Sequence, residues 1–359
     1  MPLNVAVDYQ SAFGKKTGIG VAAENLVTAM REQSSDIRWL LYHNSSQELN
    51  TPERILWESY EIPKRTLRDR PDLLYSPGFA PPMWGNVPSV VTVHDLIGLA
   101  LPSNQPAAAK FYWSTWLPKA VRRARRVVAS SEWTRKDIEK FLRIPSERIQ
   151  VVPLGVDESF RKVEDRALIK KTLERHGIAR PFFISVGTLE PRKNHLRLLE
   201  AYESLKKRGK ADFMLVIIGK PAGAEKALRR FVEEKGLRED VLFLGYIRRE
   251  ELVCLYNASL GYIMVSLYEG FGLPVLEAMS CGVSGVCADR TSLPEVAGDT
   301  ALLVDPEDPE AITQAILRLY EDTGRREALS RAAHERSRLF STTRTADAMI
   351  KVFKDETQK

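Results

Sequence analysis

Short apolar runs rich in β-branched residues recur along the chain, with room for an amphipathic helix between successive runs. In the first half they occupy residues 3–7, 37–42, 73–75, 90–93, 127–129 and 149–152. In the second half they occupy residues 182–186, 213–218, 241–244, 260–265, 285–288 and 301–304. Six strands and six, each followed by a helix, predict an α/β protein of two Rossmann-like domains with parallel sheets covered on both faces. The halves repeat an architecture and not a sequence. A charged stretch over residues 161–175 separates two strand signals, so the boundary is expected between Val156 and Pro181 and is drawn at 165/166. Open parallel sheets bind ligands beyond the carboxyl ends of their strands. Two such sheets facing a central cleft would place functional residues just after strands and at helix starts.

Composition narrows the class. The chain has 359 residues, of which 44% are hydrophobic and 28% charged, enough for two packed cores and far from a disordered composition. Cys254, Cys281 and Cys287 form no C-x-x-C pair, and an odd number cannot all pair within one chain. A disulfide scaffold or a cysteine zinc site is therefore not expected, and a reducing cytoplasm is. The apolar run 213–218 is far too short to span a bilayer, and the opening residues carry no basic leader, so neither a membrane span nor a signal peptide is expected. The net charge is only +6 and no RNA- or DNA-binding motif occurs, which argues against nucleic acid as a partner.

The strongest motif runs Glu269-Gly270-Phe271-Gly272-Leu273-Pro274-Val275-Leu276-Glu277. Pro274 suits the first turn of a helix and Gly282 its end. Val275, Leu276, Ala278 and Met279 make that helix apolar nearly all round, hence buried. Glu277 is the only charged side chain between Gly270 and Ala288. A lone buried carboxylate needs hydrogen-bond donors, and sugar or ribose hydroxyls supply them. Glu269 precedes the helix beside two glycines whose missing side chains let a ligand approach backbone N–H groups. Eight residues of pure helix rise about 12 Å. With part of the span in a loop, the gap suits one ligand whose sugar and ribose are joined through two phosphates. A helix-start glutamate and a second one paired with a buried arginine would be the plain structural alternative.

Gly187-Thr188-Leu189-Glu190-Pro191-Arg192-Lys193-Asn194 follows the strand 182–186. Asn194 suits the N-cap of a helix whose apolar face is Leu198, Leu199, Tyr202 and Leu205. Arg192 and Lys193 stand on the unfavourable side of that helix dipole, and an anion between them, such as a diphosphate, would relieve the repulsion. Two solvated surface cations would be the alternative. The loop from Gly14 to Gly20 lacks a complete dinucleotide fingerprint, because Ala23 replaces the third glycine and the second strand ends in His43-Asn44. NAD is disfavoured. His94-Asp95 closes the strand 90–93, where an imidazole can donate to a substrate hydroxyl or shuttle a proton. A strand-end histidine followed by a turn-capping aspartate is the alternative. No residues have metal-ligand spacing, so no metal or other cofactor is expected.

Between Asp95 and Glu132 there is no acidic residue, while Lys110, Lys119, Arg122, Arg123, Arg125 and Arg126 accumulate. On a helix, Trp113, Leu117, Ala120, Val121 and Ala124 would form an inward stripe, and Tyr112, Trp116, Lys119 and Arg123 a neighbouring face. Aromatic and cationic groups together suit an anionic membrane surface or a pyrophosphate-linked lipid. A packed helix with a solvated basic side is the alternative. Pro118 should kink or divide this helix.

Taken together, these segments resemble the family-4 retaining glycosyltransferases of GT-B fold over nearly the whole chain. The resemblance rests on T-G-I-G, V-T-V-H-D-L, V-V-A-S-S-E-W-T, V-V-P-L-G-V-D, S-V-G-T-L-E-P-R-K-N, Y-E-G-F-G-L-P-V-L-E-A-M-S-C-G-V and S-L-P-E-V-A-G-D-T-A-L-L-V-D-P. The R-K-N and V-T-V-H-D-L segments are most similar to a bacterial mannosyltransferase-like subgroup that builds O-antigen, capsule or related polysaccharides. The resemblance implies an acceptor-side domain of residues 1–165, joined by a returning C-terminal helix over 341–359, and a donor-binding domain of residues 166–340. It implies a nucleotide-sugar donor, GDP-mannose before UDP-linked sugars, and a glycan or polyprenyl-diphosphate-linked acceptor. Transfer with retention would form an α-glycoside in the cytoplasm, with peripheral contact to the inner face of the cytoplasmic membrane.

By motif position Lys193, assisted by Arg192, would bind the diphosphate, and Gly187 and Thr188 would line it. Glu277 would hold the ribose hydroxyls. Glu269 would hold the sugar with the backbone of Gly270, Phe271, Gly272 and Leu273. Gly18 would approach the phosphates or acceptor, His94 would contact the transferred sugar, and Tyr246 and Ile247 would neighbour the base. His94, Arg192, Lys193 and Glu269 form the implied catalytic set. Two departures stand out: Thr188 replaces an arginine common among relatives, whose role passes to Arg192, and Ser284 replaces a proline, which should loosen the following turn. A nucleotide-sugar epimerase of the same architecture, or a sugar- or lipid-binding scaffold without turnover, are the competing classes.

Overall fold

The structure is a computed structural model that describes residues 2–12, 18–44, 49–78, 80–101 and 107–358. The chain divides into two compact units, one of Met1–Gly155 with Ser341–Lys359 and one of Val156–Phe340. Unit 1 contains β1 (Leu3–Asp8), β2 (Ile37–Tyr42), β3 (Leu73–Ser76), β4 (Ser89–Val93), β5 (Arg126–Ala129) and β6 (Ile149–Val151). Unit 2 contains β7 (Phe182–Val186), β8 (Met214–Ile218), β9 (Val241–Gly245), β10 (Gly261–Met264), β11 (Gly285–Ala288) and β12 (Leu302–Val304). Each set forms one parallel sheet, ordered β2-β1-β3-β4-β5-β6 and β12-β11-β10-β7-β8-β9. Strands β3, β4, β8, β10 and β11 are buried at every residue, because helices cover both faces, and this is why they read as unbroken apolar runs.

The core of unit 2 centres on Phe183 and Phe213, whose rings meet edge-on at 5.0 Å, with Tyr202, Leu198 and Leu199 from the helix His195–Lys207. In unit 1 the C-terminal helix Thr342–Thr357 buries Ala346, Met349 and Phe353 against Val5, Val7, Met30 and Tyr75. Ser341 caps it by accepting from the Arg344 N–H. At its far end Glu356 pairs with both Arg125 and Arg126. Gly155 faces the start of this helix so closely that a Cβ there would lie 2.3 Å from the Thr342 backbone.

The units divide at 155/156 rather than at 165/166. Residues 156–165 pack in unit 2: Arg249 holds Asp157 at 2.6 Å, Phe160 packs on Tyr256, and Asn257 bonds both the Val163 N–H and the Arg161 carbonyl. The charged stretch marked a helix, Arg166–Arg175, and not the junction.

Besides a π-type turn at Ile138–Leu142 that closes its helix, two helical ridges of unit 1 continue through wider turns of π type, Trp57–Glu61 and Tyr112–Trp116. Each of these two leads into a helix with proline at its second position, Pro63 and Pro118. Proline lacks an N–H and its ring crowds the carbonyl four residues earlier. The backbone shifts to bonds spanning five residues, Ile62 N–H to Trp57 O and Leu117 N–H to Tyr112 O, and the helix continues. Pro118, expected to kink or divide its helix, stands where the chain changes register through the wide turn and begins the helix Leu117–Arg123. Ser284 also departs from expectation: it is fully buried and tied to Ser330 and the Arg326 carbonyl, so the turn is pinned and not loosened.

Candidate functional site

Strand order in unit 2 reverses where β10 and β8 flank β7. Ligands bind at such a switch point, beyond the carboxyl ends of the strands. The loop after β7 ends in the tight turn Pro191–Lys193 and carries Arg192 and Lys193; the segment after β10 carries Glu269. Two bonds lock these loops together: the Leu267 N–H donates to the Arg192 carbonyl (2.8 Å), and the Asn194 amide donates to the Val265 carbonyl (3.1 Å). Asn194 does not cap the following helix with its side chain, as its position suggested. It adopts a left-handed backbone (φ 60°) and spends its amide on Val265 and Pro306 instead. Asparagine is among the few residues that tolerate that conformation.

Lys193 Nζ consequently lies 2.6 Å from Glu269 Oε1, and Arg192 Nη1 lies 3.1 Å from Glu269 Oε2. Arg192 Nε also donates to Glu190 at 2.7 Å. Lys193 and Glu269 are each only 8% exposed. Burial alone would raise the Glu269 pKa, but Lys193 and Arg192 outweigh it and hold the carboxyl below the usual range. Gly187 makes room for the lysine, since a Cβ there would sit 3.0 Å from Lys193 Cε. The Thr188 hydroxyl is buried without a partner among the described residues. Beside the pair, His195 is 3% exposed, and burial together with Lys193 pushes its pKa down to about 4, so the ring is neutral.

Glu269 leads into Gly270, Phe271 and Gly272, whose left-handed backbone (φ 113°) starts the buried helix Leu273–Ser280. Thr291 and Ser292 fix this loop: the Glu269 N–H donates to Thr291 Oγ1, and Ser292 Oγ bonds the carbonyls of Glu269 and Phe271. Two turns on, Glu277 is partly buried and receives the Tyr256 hydroxyl at 3.4 Å. Burial raises its pKa to about 7 against the opposing pull of that bond. The alternative of a glutamate paired with a buried arginine is not realised at Glu277, because Arg249 is bound to Asp157. After β9, Ile247 is buried, whereas Tyr246 is 72% exposed with Lys220 Nζ 5.2 Å from its ring centre.

The remaining sequence-derived residues lie in unit 1. His94 directly follows β4, with Nε2 2.7 Å from the Pro77 carbonyl, while its own carbonyl accepts from Ser130 and Thr134. Burial lowers its pKa and keeps it neutral. Gly18 is the first residue of the helix Gly18–Gln33; Gly14 to Thr17 lie outside the described residues. Tyr112 and Trp116 do not share an outward face with Lys119 and Arg123. Both turn inward and donate to Glu58, Tyr112 OH to Oε1 and Trp116 Nε1 to Oε2, each at 3.0 Å. The wide turn at Tyr112–Trp116 sets that direction; Lys119, Arg122 and Arg123 are exposed, and Phe111, before the turn, is half-exposed. Glu58 is fully buried, and burial pushes its pKa up to about 8.

Sequence reasoning missed Glu190, His195, Ser292 and Glu58. Glu190 and His195 flank the R-K-N segment, so adjacency was the available signal; Ser292 and Glu58 act through contacts distant in sequence and gave none.

Family models match both units, "Glycosyltransferase Family 4" over residues 18–160 and "Glycosyl transferases group 1" over residues 169–336. The O-antigen chain mannosyltransferase B of Escherichia coli is 34% identical over 306 residues, covering 82% of this chain and 80% of the relative. The serotype-specific mannosyltransferase WbdA of Escherichia coli is 31% identical over 277 residues, 75% of this chain, which spans 34% of that longer protein. Among solved structures, HepE of Anabaena in complex with UDP-glucose matches with a TM-score of 0.78 at 18% identity, over 98% of this chain and 100% of that one.

Proposed function

The chain belongs to the family-4 glycosyltransferases and has their GT-B fold, and from that premise we propose that it moves mannose from GDP-mannose to a glycan or polyprenyl-diphosphate-linked acceptor in bacterial polysaccharide synthesis. The observation that carries this reading is the buried meeting of Lys193, Arg192 and Glu269 at the switch point of unit 2. Mannose is favoured because the relatives at 34% and 31% identity are O-antigen and serotype-specific mannosyltransferases.

In the proposed reaction Lys193 and Arg192 stabilise the charge that grows on the leaving diphosphate. The positive charge is supplied by the chain, and no metal ion is assigned a role. Glu269 accepts from sugar hydroxyls, Glu277 accepts from ribose hydroxyls, and the exposed Tyr246 ring stacks on the base. His94, a neutral imidazole, is assigned to a hydroxyl of the transferred sugar. The acceptor oxygen bonds to the anomeric carbon on the face from which the phosphate oxygen departs, and the acceptor proton passes to that phosphate. Configuration is retained, and an α-mannoside forms. Exposed Lys119, Arg122 and Arg123 with Phe111 support peripheral contact with an anionic membrane at its cytoplasmic face. Among the described residues no helix is long and apolar enough to cross one.

Incubation with GDP-mannose and a membrane extract tests the proposal. GDP release with formation of an α-linked mannoside is the expected result. A sugar altered without any acceptor would indicate an epimerase, and no GDP release would indicate a binding scaffold.

A further inference from the structure

Both cations assigned to the diphosphate are already paired with carboxylates. Glu269 takes Lys193 with one oxygen and Arg192 with the other, and Glu190 takes the Arg192 Nε. A diphosphate bound by the same cations competes with Glu269 for them and is favoured by drawing the carboxylate away. The backbone of Glu269 cannot follow the displaced side chain, since its N–H bonds Thr291 and its carbonyl bonds Ser292. The carboxylate therefore swings only within the reach of its own side chain, in surroundings that leave it 8% exposed. There the Ser266 side chain remains beside it, and further donors have to replace the two cations, because a buried poorly paired charge is strongly unfavourable. The neighbouring His195 is neutral and offers no second cation.

On the reading above, we propose that Glu269 is a specificity-determining residue: it competes with the donor diphosphate for Lys193 and Arg192, and so discriminates a nucleotide sugar from the nucleoside diphosphate product. A nucleotide sugar carries hydroxyl groups beyond the diphosphate, and these donate to the displaced carboxylate. A nucleoside diphosphate carries none, and its terminal phosphate sets further negative charge beside Glu269. The same carboxylate thus admits the substrate and expels the product after transfer.

The test is titration of GDP and GDP-mannose, with UDP and UDP-glucose as a second pair, into the wild type and Glu269→Gln. The amide keeps the shape of the side chain and removes its charge. Loss of a charged hydrogen-bonding competitor should tighten nucleoside diphosphate binding by about tenfold or more, while the matching nucleotide sugar gains far less, so the preference for sugar over product falls. Glu190→Gln, at a more exposed pair, should shift nucleoside diphosphate affinity the same way by about two- to threefold, and it serves if Glu269→Gln does not fold. Nucleoside diphosphate affinity that is unchanged or weaker in these variants overturns the competition while leaving the donor site standing. Failure of the wild type to bind any of the four ligands overturns the donor site itself, and the competition with it.

Discussion

Glu277 illustrates how much of this chemistry is decided by single side chains. Its folded pKa, raised by burial to about 7, lies above the ordinary glutamate value. Stability attached to the group is therefore full below the ordinary range and declines as pH rises towards 7, where the unfolded chain has already released its proton. Binding runs the other way, because the ionised carboxylate is the better acceptor for ribose hydroxyls. Affinity for GDP-mannose should rise as pH passes through about 7 in the wild type and should be flat across that interval in Glu277→Gln; calorimetric titrations over pH check it. At this scale the sequence was most legible where charge stood in an apolar or glycine-rich setting, as at Lys193, Arg192, Glu269 and Glu277. It was blind where a role depends on a distant partner. Nothing local marks Ser292 as the clasp of the Glu269 loop, or Glu58 as the acceptor for Tyr112 and Trp116.

Elements were legible for a related reason. Parallel strands covered on both faces are apolar along most of their length, and even the partly exposed edge strands β2, β6, β9 and β12 keep enough of that character. All twelve therefore appear in the pattern, displaced by a residue or so at their ends. The helical faces of unit 1 were misread because a 3.6-residue period does not hold through a π turn. The two wide turns place Glu58 between ridges that the sequence separates by more than fifty residues. Burial raises its pKa to about 8, so the stability linked to Glu58 falls as pH climbs from the ordinary glutamate range to that value. Thermal melts should show the wild type losing Tm over that interval relative to Glu58→Gln, and parallel curves would contradict the assignment. In unit 2 the loop after β7 makes its own prediction. Gly187→Ala brings a Cβ to 3.0 Å from Lys193 Cε and should weaken GDP-mannose binding about tenfold, with melting nearly unchanged. Gly219→Ala instead meets the Gly187 carbonyl at 1.8 Å, a backbone clash that should lower Tm outright.

On the scale of the whole molecule, each unit has its own core and unit 1 is assembled from both ends of the chain. The C-terminal helix was expected in unit 1 from resemblance alone, since apolar period shows that a helix buries one face and not which core receives it. Phe353 packs on Tyr75 at 5.0 Å and is fully buried. Phe353→Ala should therefore cost about 3–5 kcal/mol in chemical denaturation, felt by unit 1. The junction was misplaced by ten residues because Asp157 and Phe160 join unit 2 through Arg249 and Tyr256, contacts that no charge run announces. The central claim is that unit 2 grips a nucleotide sugar by its diphosphate through Lys193. Titration of GDP-mannose into the wild type and Lys193→Ala tests it most directly. The account predicts saturable binding by the wild type and a loss of affinity of at least about tenfold in the variant, whose circular dichroism stays native; equal affinity in the two proteins would contradict it.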